Sequence, residues 1–186
     1  MRIIAGTAGG RRITAPQGDA TRPTSEQIRG AVFNILGTEV QGASVLDLFG
    51  GTGALGLEAM SRGAEHCVIT DSSRQAFDAI RKNAEAVLGK DFSETCTLLK
   101  GDFRQSLKRL AGRKFSLVFL DPPYALENAY RDSLSALTQG DMLEEDCVIV
   151  LERDAKRAVP LPEGLESRDL RTYGDTAVEF VRRVKA

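Results

Sequence analysis

A chain of 186 residues, 42% hydrophobic and 27% charged, fits one globular α/β domain with a short appendage. At this length the core is large enough to dispense with metal or disulfide staples, and a formal net charge of −1 gives no general affinity for nucleic acid. The longest apolar runs are strand-length and the N-terminal residues lack the apolar stretch of a signal peptide, so a cytoplasmic protein with no membrane partner is expected.

The first 40 residues differ in kind from the rest. They carry five arginines against Asp19, Glu26 and Glu39, a net of +2, and a mildly basic arm on an acidic body is compatible with RNA contact. Residues 2–15 place Gly6, Gly9 and Gly10 between short β-prone stretches, which predicts a small hairpin. Arg22-Pro23-Thr24 then opens a helix. Thr24 stands at capping-box spacing from Gln27, and Ile28, Val32, Ile35 and Leu36 form the expected apolar stripe.

From residue 44 onward, strands and helices alternate. Strands are predicted over 44–48, 67–70, 97–100, 115–120 and 147–152, with helices over 54–62, 74–88, near 105–110 and over 128–137. That rhythm implies a parallel sheet covered on both faces. The C-terminal part reads instead as two strands, 166–172 and 177–184, joined by the turn-like Tyr173-Gly174-Asp175-Thr176 into an antiparallel hairpin. The chain thus divides into an arm over 1–40 and a body over 41–186. Cys67, Cys96 and Cys147 each lie in or beside a strand-like run, no C-x-x-C is present, and the single histidine, His66, has no ligand-spaced partner. Buried reduced thiols and no metal site are expected.

Asp47-Leu48-Phe49-Gly50-Gly51-Thr52-Gly53-Ala54-Leu55-Gly56 follows a strand and opens a helix. Glycines here let the backbone approach a ligand closely. Gly51, Gly53 and Gly56 match the dinucleotide fingerprint, and Asp71 follows where an acid would hold a ribose hydroxyl, so a nicotinamide enzyme is a rival reading. Two features favour S-adenosylmethionine. Asp47, at the strand end, can meet the ammonium of a methionine moiety but would repel a pyrophosphate. After Asp121 only 65 residues remain, too few for a dehydrogenase's substrate domain.

Asp121-Pro122-Pro123-Tyr124 ends the fourth strand of the alternating series, at the edge where α/β sheets bind ligands. An exocyclic base amine is a poor nucleophile because its lone pair is delocalised into the ring. Asp121 can accept one of its N–H bonds, Pro122 can present a rigid carbonyl to the other, and Tyr124 offers a face for a base removed from its stack. The plain alternative is a strand-ending Pro-Pro turn with a buried tyrosine. Asp102 ends the third strand, where it can accept from an adenine amino group while Phe103 packs on the ring; a helix N-cap is the equal alternative.

These two motifs resemble class I amino-group methyltransferases. With Arg22-Pro23-Thr24, Arg29, Phe33-Asn34, the glycine-rich stretch over 50–63 and Tyr173-Gly174-Asp175-Thr176, the chain resembles the RsmD family over nearly its whole length. Members of that family are bacterial 16S ribosomal RNA guanine-N2 methyltransferases. The resemblance implies a Rossmann-like seven-stranded sheet with an antiparallel last strand and an N-terminal hairpin that grips RNA. It further implies cofactor contacts at Asp47, Gly51, Gly53, Asp71, Asp102 and Phe103, and catalysis at Asp121, Pro122, Pro123 and Tyr124. Arg11, Arg12, Arg22 and Arg29 are the candidates for phosphate contacts. The near-neutral charge fits a partly or fully assembled small subunit better than naked RNA.

Competing readings are another amine acceptor (adenine N6 or cytosine N4 of nucleic acid, or a protein glutamine) and a non-catalytic binding module. A DNA enzyme usually needs a target-recognition insert for which no stretch here is long enough, a glutamine methyltransferase more typically carries Asn in place of Asp121, and the intact Asp121–Tyr124 motif speaks against the last.

Overall fold

Apolar runs alternating with amphipathic helices build one seven-stranded sheet with helices on both faces. The computed structural model describes residues 1–16, 25–126 and 128–185. The strands are β1 Ser44–Asp47, β2 His66–Asp71, β3 Cys96–Lys100, β4 Phe115–Leu120, β5 Leu143–Asp154, β6 Leu165–Tyr173 and β7 Thr176–Arg183. Their order is β3-β2-β1-β4-β5-β7-β6, with β7 antiparallel to both neighbours and the other pairings parallel. The helices are α1 Glu26–Leu36, α2 Ala54–Ser61, α3 Arg74–Leu88, α4 Phe92–Thr95, α5 Phe103–Arg109 and α6 Ala129–Gln139.

The central strands read as near-continuous apolar runs because both faces are buried. On one face Val45, Cys67, Ile69, Leu117 and Phe119 meet Phe33, Leu57, Ile80 and Ala84 of α1, α2 and α3. On the other, Leu46, Val68, Val118, Leu120 and Ile149 meet Phe103, Leu107, Leu134 and Leu137 of α5 and α6. The three cysteines are free and buried, and burial pushes the Cys67 and Cys147 thiols up. Among the described residues no helix is long and apolar enough to cross a membrane.

The expected strands and helices of the body are present, with small shifts at their ends. β5 begins four residues earlier than its apolar run, because the exposed Glu144, Glu145 and Asp146 continue the strand beyond the apolar core. The short α4 and the 3₁₀ turns Gly37–Val40 and Gly89–Asp91 are too brief to carry a periodic signal.

The arm departs further from expectation. Its hairpin is a single antiparallel bridge between Arg2 and Arg12, supported by Ile3 N–H to Arg11 O and Gly10 N–H to Ile3 O, each 2.8 Å. What fastens it is the body. Ile4 and Ala5 donate their N–H groups to the Glu58 carboxylate at 2.9 and 3.1 Å. Ser61 Oγ accepts from Ala8 N–H at 2.9 Å and donates to Ala5 O at 2.6 Å. The Asn83 amide accepts Thr14 N–H at 2.9 Å and donates to Thr14 O and Thr52 O at 2.9 and 2.8 Å.

Helix α1 corrects two expectations. Its cap is Ser25, whose hydroxyl accepts from Ile28 N–H at 3.1 Å; Thr24, the expected cap, lies outside the described residues. Its inward face is Arg29, Val32, Phe33 and Leu36, so Arg29 is fully buried while Ile35 is 37% exposed. Arg29 donates to Arg2 O, and its Nε lies 3.5 Å from Glu58 Oε2; Arg62 Nε stands 2.8 Å from Glu58 Oε1. Burial lowers the Arg29 pKa, and the Glu58 charge opposes the fall. Glu58, 29 residues away along the chain, is what allows an arginine to turn inward there.

Candidate active site

Strand order reverses between β1 and β4, and the crevice at such a switch point, off the carboxyl ends of the strands, is where open α/β sheets bind ligands. A cleft of about 480 Å³ opens there. Five strand ends feed it: Leu48–Leu55 after β1, Asp71–Ser73 after β2, Gly101–Phe103 after β3, Asp121–Leu126 after β4, and Glu152 with Arg153 in β5.

The glycine loop wraps the first wall. A Cβ on Gly50 would stand 2.5 Å from Ile69 Cγ2 and 2.9 Å from Ile80 Cδ1, so only glycine lets the turn lie this close to the sheet. Gly51 and Gly53 take φ of +60° and +80°, a region side chains resist. Asp71 braces the loop: its Oδ2 accepts from Gly51 N–H and its Oδ1 from Ser73 N–H, both at 2.9 Å. Each oxygen keeps a further lone pair for a ligand hydroxyl.

Asp102 caps α5, its Oδ1 accepting from Arg104 N–H at 2.9 Å, while facing the cleft. The cap and the ligand-facing position are therefore compatible. Phe103 packs against Phe49 with ring centroids 5.2 Å apart, giving the cleft an apolar wall suited to an aromatic ring. Opposite, Tyr124 is 68% exposed, which removes the plain alternative of a buried turn tyrosine. It lies in the lining beside Leu126, a large aromatic face open to whatever enters the cleft.

Two expected cofactor contacts stand behind the wall. Asp47 is 2% exposed and turns inward, its Oδ2 accepting Gly56 N–H at 3.1 Å at the start of α2. Burial pushes its carboxyl up to about 7, the Gly56 bond opposing the rise and Asp71 adding to it. A Cβ on Gly53 would face Leu57 and Ile80. Gly51, Asp71, Asp102, Phe103 and Asp121 through Tyr124 do line the cleft. Of the arginines, Arg11 and Arg12 are exposed, Arg22 lies outside the described residues, and Arg29 is sealed in the core, where it cannot touch a phosphate.

The lining also holds Phe49, Tyr130, Glu152, Arg153 and Thr176, to which the sequence reading gave no site role. Glu152 had a usable signal: it closes the predicted fifth strand, at the same carboxyl edge as Asp121. Tyr130 had none, since it comes from the helix that follows β4, and Thr176 stood only in the Tyr173–Thr176 turn of the C-terminal hairpin, with no site role attached to it. Tyr130 donates its hydroxyl to Glu152 O; burial raises its phenol well above the usual range, with Asp121 and Glu152 adding to the rise.

The charge of the cleft is lopsided. Asp71, Asp102, Asp121 and Glu152 line it. The single cation among its described residues, Arg153, is tied at 3.1 Å to Glu179 and to the carbonyls of Asp154 and Arg157. Such a site repels a pyrophosphate and suits a ligand with a sulfonium and an ammonium. The residues present fit S-adenosylmethionine and not a dinucleotide.

Comparison with known proteins agrees. The family model described as "Conserved hypothetical protein 95" matches residues 1–182. YlbH of Bacillus subtilis is 36% identical over 98% of this chain and 99% of its own length. Ribosomal RNA small subunit methyltransferase D of Escherichia coli K12 is 29% identical over 98% of this chain and 90% of its own. The solved structure of yhhF from Escherichia coli superposes with a TM-score of 0.85 at 26% identity, covering 98% of this chain and 97% of that one. With its motifs, its sheet order and its match from end to end, the chain belongs to the RsmD family.

Proposed function

We propose that the exocyclic N2 amine of a guanine in small-subunit ribosomal RNA is the methyl acceptor of this S-adenosylmethionine-dependent methyltransferase. The observation that carries the reading is the meeting, in one acidic cleft, of the braced glycine loop with Asp121-Pro122-Pro123-Tyr124. When bound, S-adenosylmethionine would supply an electrophilic methyl group, its S–CH3 bond breaking as N–CH3 forms and its sulfur leaving as a neutral thioether. Asp71 would hold its ribose hydroxyls, Asp102 would accept from its adenine amine, and Phe103, backed by Phe49, would pack on the adenine ring. Gly51 brings the loop backbone to the ligand, and Asp47 and Gly53 shape the loop from behind. Tyr124 stacks the extruded base. Asp121 and the Pro122 carbonyl accept its amine N–H bonds and so turn the nitrogen lone pair toward the methyl group. Once the amine becomes cationic it is strongly acidic, and Asp121 takes its proton.

Nucleoside mass spectrometry of ribosomal RNA from cells with and without the protein tests the reading. Loss of N2-methylguanosine with the protein is expected; loss of a different methylated nucleoside would move the acceptor elsewhere. A net charge of −1 favours an assembled particle over naked RNA as substrate.

Two substitutions separate the cofactor from the RNA. Asp71→Ala is expected to weaken S-adenosylmethionine binding by roughly 1–3 kcal/mol, the range for a charge-assisted bond. Unchanged affinity by calorimetry in a folded variant would remove Asp71 from the cofactor site. The arm's exposed Arg11 and Arg12 are proposed phosphate contacts. Changing both to alanine is expected to flatten the salt dependence of RNA binding by about one unit of slope per lost contact, with cofactor affinity constant. A joint fall of both affinities would make these residues structural.

A further inference from the structure

Strands β4 and β5 run parallel, and their last paired residues are Leu120 and Leu151. The next residue on each is a carboxylate, Asp121 and Glu152. Neighbouring strands lie about 4.8 Å apart and partners in register share a face, so the two acids leave the sheet edge side by side. Both line the cleft, with Glu152 half-buried. The β5 end is held from two directions, by the Tyr130 hydroxyl on the Glu152 carbonyl and by Arg153, buried and paired with Glu179 at 3.1 Å. The backbone at Glu152 is therefore fixed in the cleft wall, next to the strand that carries Asp121.

An ionised carboxylate only accepts hydrogen bonds. Guanine presents two neighbouring donors on its Watson–Crick edge, N1–H and the N2 amine. Adenine and cytosine place an unprotonated ring nitrogen beside their amine, whose lone pair would face the carboxylate. A second acid beside Asp121 thus suits one base and repels the other two. Resting on the guanine reading above, we infer that Glu152 is the specificity-determining residue of the site, accepting guanine N1–H while Asp121 accepts from the N2 amine. A base that presents a lone pair where guanine presents N1–H is rejected because two acceptors then face each other.

The test is a cycle between protein and base. Small-subunit particles are reconstituted with 2-aminopurine at the methylated guanine, a base that keeps the reacting amine but has an acceptor at N1. Glu152→Ala is expected to lower kcat/KM on guanine by about 10–100-fold, the worth of one good base contact. In the wild type, 2-aminopurine should cost a similar factor. Combining the two should cost little more than either alone, since both remove the same bond. Should the alanine variant not fold, Glu152→Gln serves with its own expectation: its amide oxygen still accepts guanine N1–H and its NH2 can donate to the N1 of 2-aminopurine. The preference for guanine over 2-aminopurine should then shrink by about tenfold or more, and an unchanged preference overturns the inference. Unchanged S-adenosylmethionine affinity by calorimetry certifies the cofactor half of the cleft. Losses that multiply, as a merely structural residue would give, overturn the inference, as does a wild type indifferent to the base or a Glu152→Ala variant with full activity. If the wild type yields no N2-methylguanosine on unmodified particles, the guanine reading itself falls and this inference falls with it.

Discussion

Asp121→Ala is expected to lower kcat by roughly 100-fold or more while S-adenosylmethionine affinity changes little. The reasoning is differential binding. Positive charge grows on the acceptor nitrogen only as the new bond forms, so a carboxylate aimed at that nitrogen acts chiefly in the transition state. Asp121 is placed for this, at the tip of β4 on the cleft wall and not in the glycine loop. Asp121→Asn divides the effect into parts. An amide oxygen still accepts one N–H bond but does not readily take a proton. Near-full activity in Asn would assign the effect to lone-pair orientation, and an Asn as inactive as Ala would assign it to charge. A folded, cofactor-bound alanine variant with full turnover would reduce Asp121-Pro122-Pro123-Tyr124 to a structural turn.

The second large effect lies far from the chemistry. Glu58→Ala is expected to destabilise the fold by about 3–5 kcal/mol, the usual cost of leaving a buried charge uncompensated. Glu58 is wholly buried and serves four partners: Arg29, Arg62 and the N–H groups of Ile4 and Ala5. Truncation strands the Arg29 guanidinium in the core and frees two backbone donors. Replacing Arg29 and Glu58 together by apolar residues of similar volume should recover much of the loss, because the uncompensated charge disappears with its partner. Equilibrium denaturation by urea, with the double variant beside both singles, measures this. A Glu58→Ala loss below about 1 kcal/mol would show the cluster to be worth no more than a surface pair.

Which parts were legible in the sequence follows from how local their cause is. The glycine loop and Asp121–Tyr124 are contiguous, and each sits at a strand end that apolar runs already mark, so their convergence follows from the parallel sheet alone. Asp71 and Asp102 follow by the same rule. Glu152 obeys it equally but carries no neighbouring motif to draw notice. Arg29 shows the limit. Beside Ile28 and Val32 an arginine reads as the polar flank of a stripe, and only Glu58, on another helix, turns that flank inward. Asp47 shows a subtler one: a strand-end acid is visible from sequence, but whether it faces ligand or helix depends on which N–H reaches it first. Here it is Gly56.

The stitching of the N-terminal residues to Glu58, Ser61 and Asn83 bears on how RNA contact can be examined at all. Deleting the first 40 residues looks like the direct experiment on a basic appendage. It would strip four N–H donors (of Ile4, Ala5, Ala8 and Thr14) from buried carboxylate, hydroxyl and amide groups, and uncover the faces that Ile3, Ile13, Val32 and Phe33 cover. Asn83, which also donates to Thr52 O in the cofactor loop, would lose its bonds to Thr14. A truncated protein would thus lose stability along with any RNA binding, whatever the arm contributes to recognition. The segment behaves as a keystone, not a handle, and its outward face yields only to exchanges of exposed side chains, such as Arg12, that no interior group depends on.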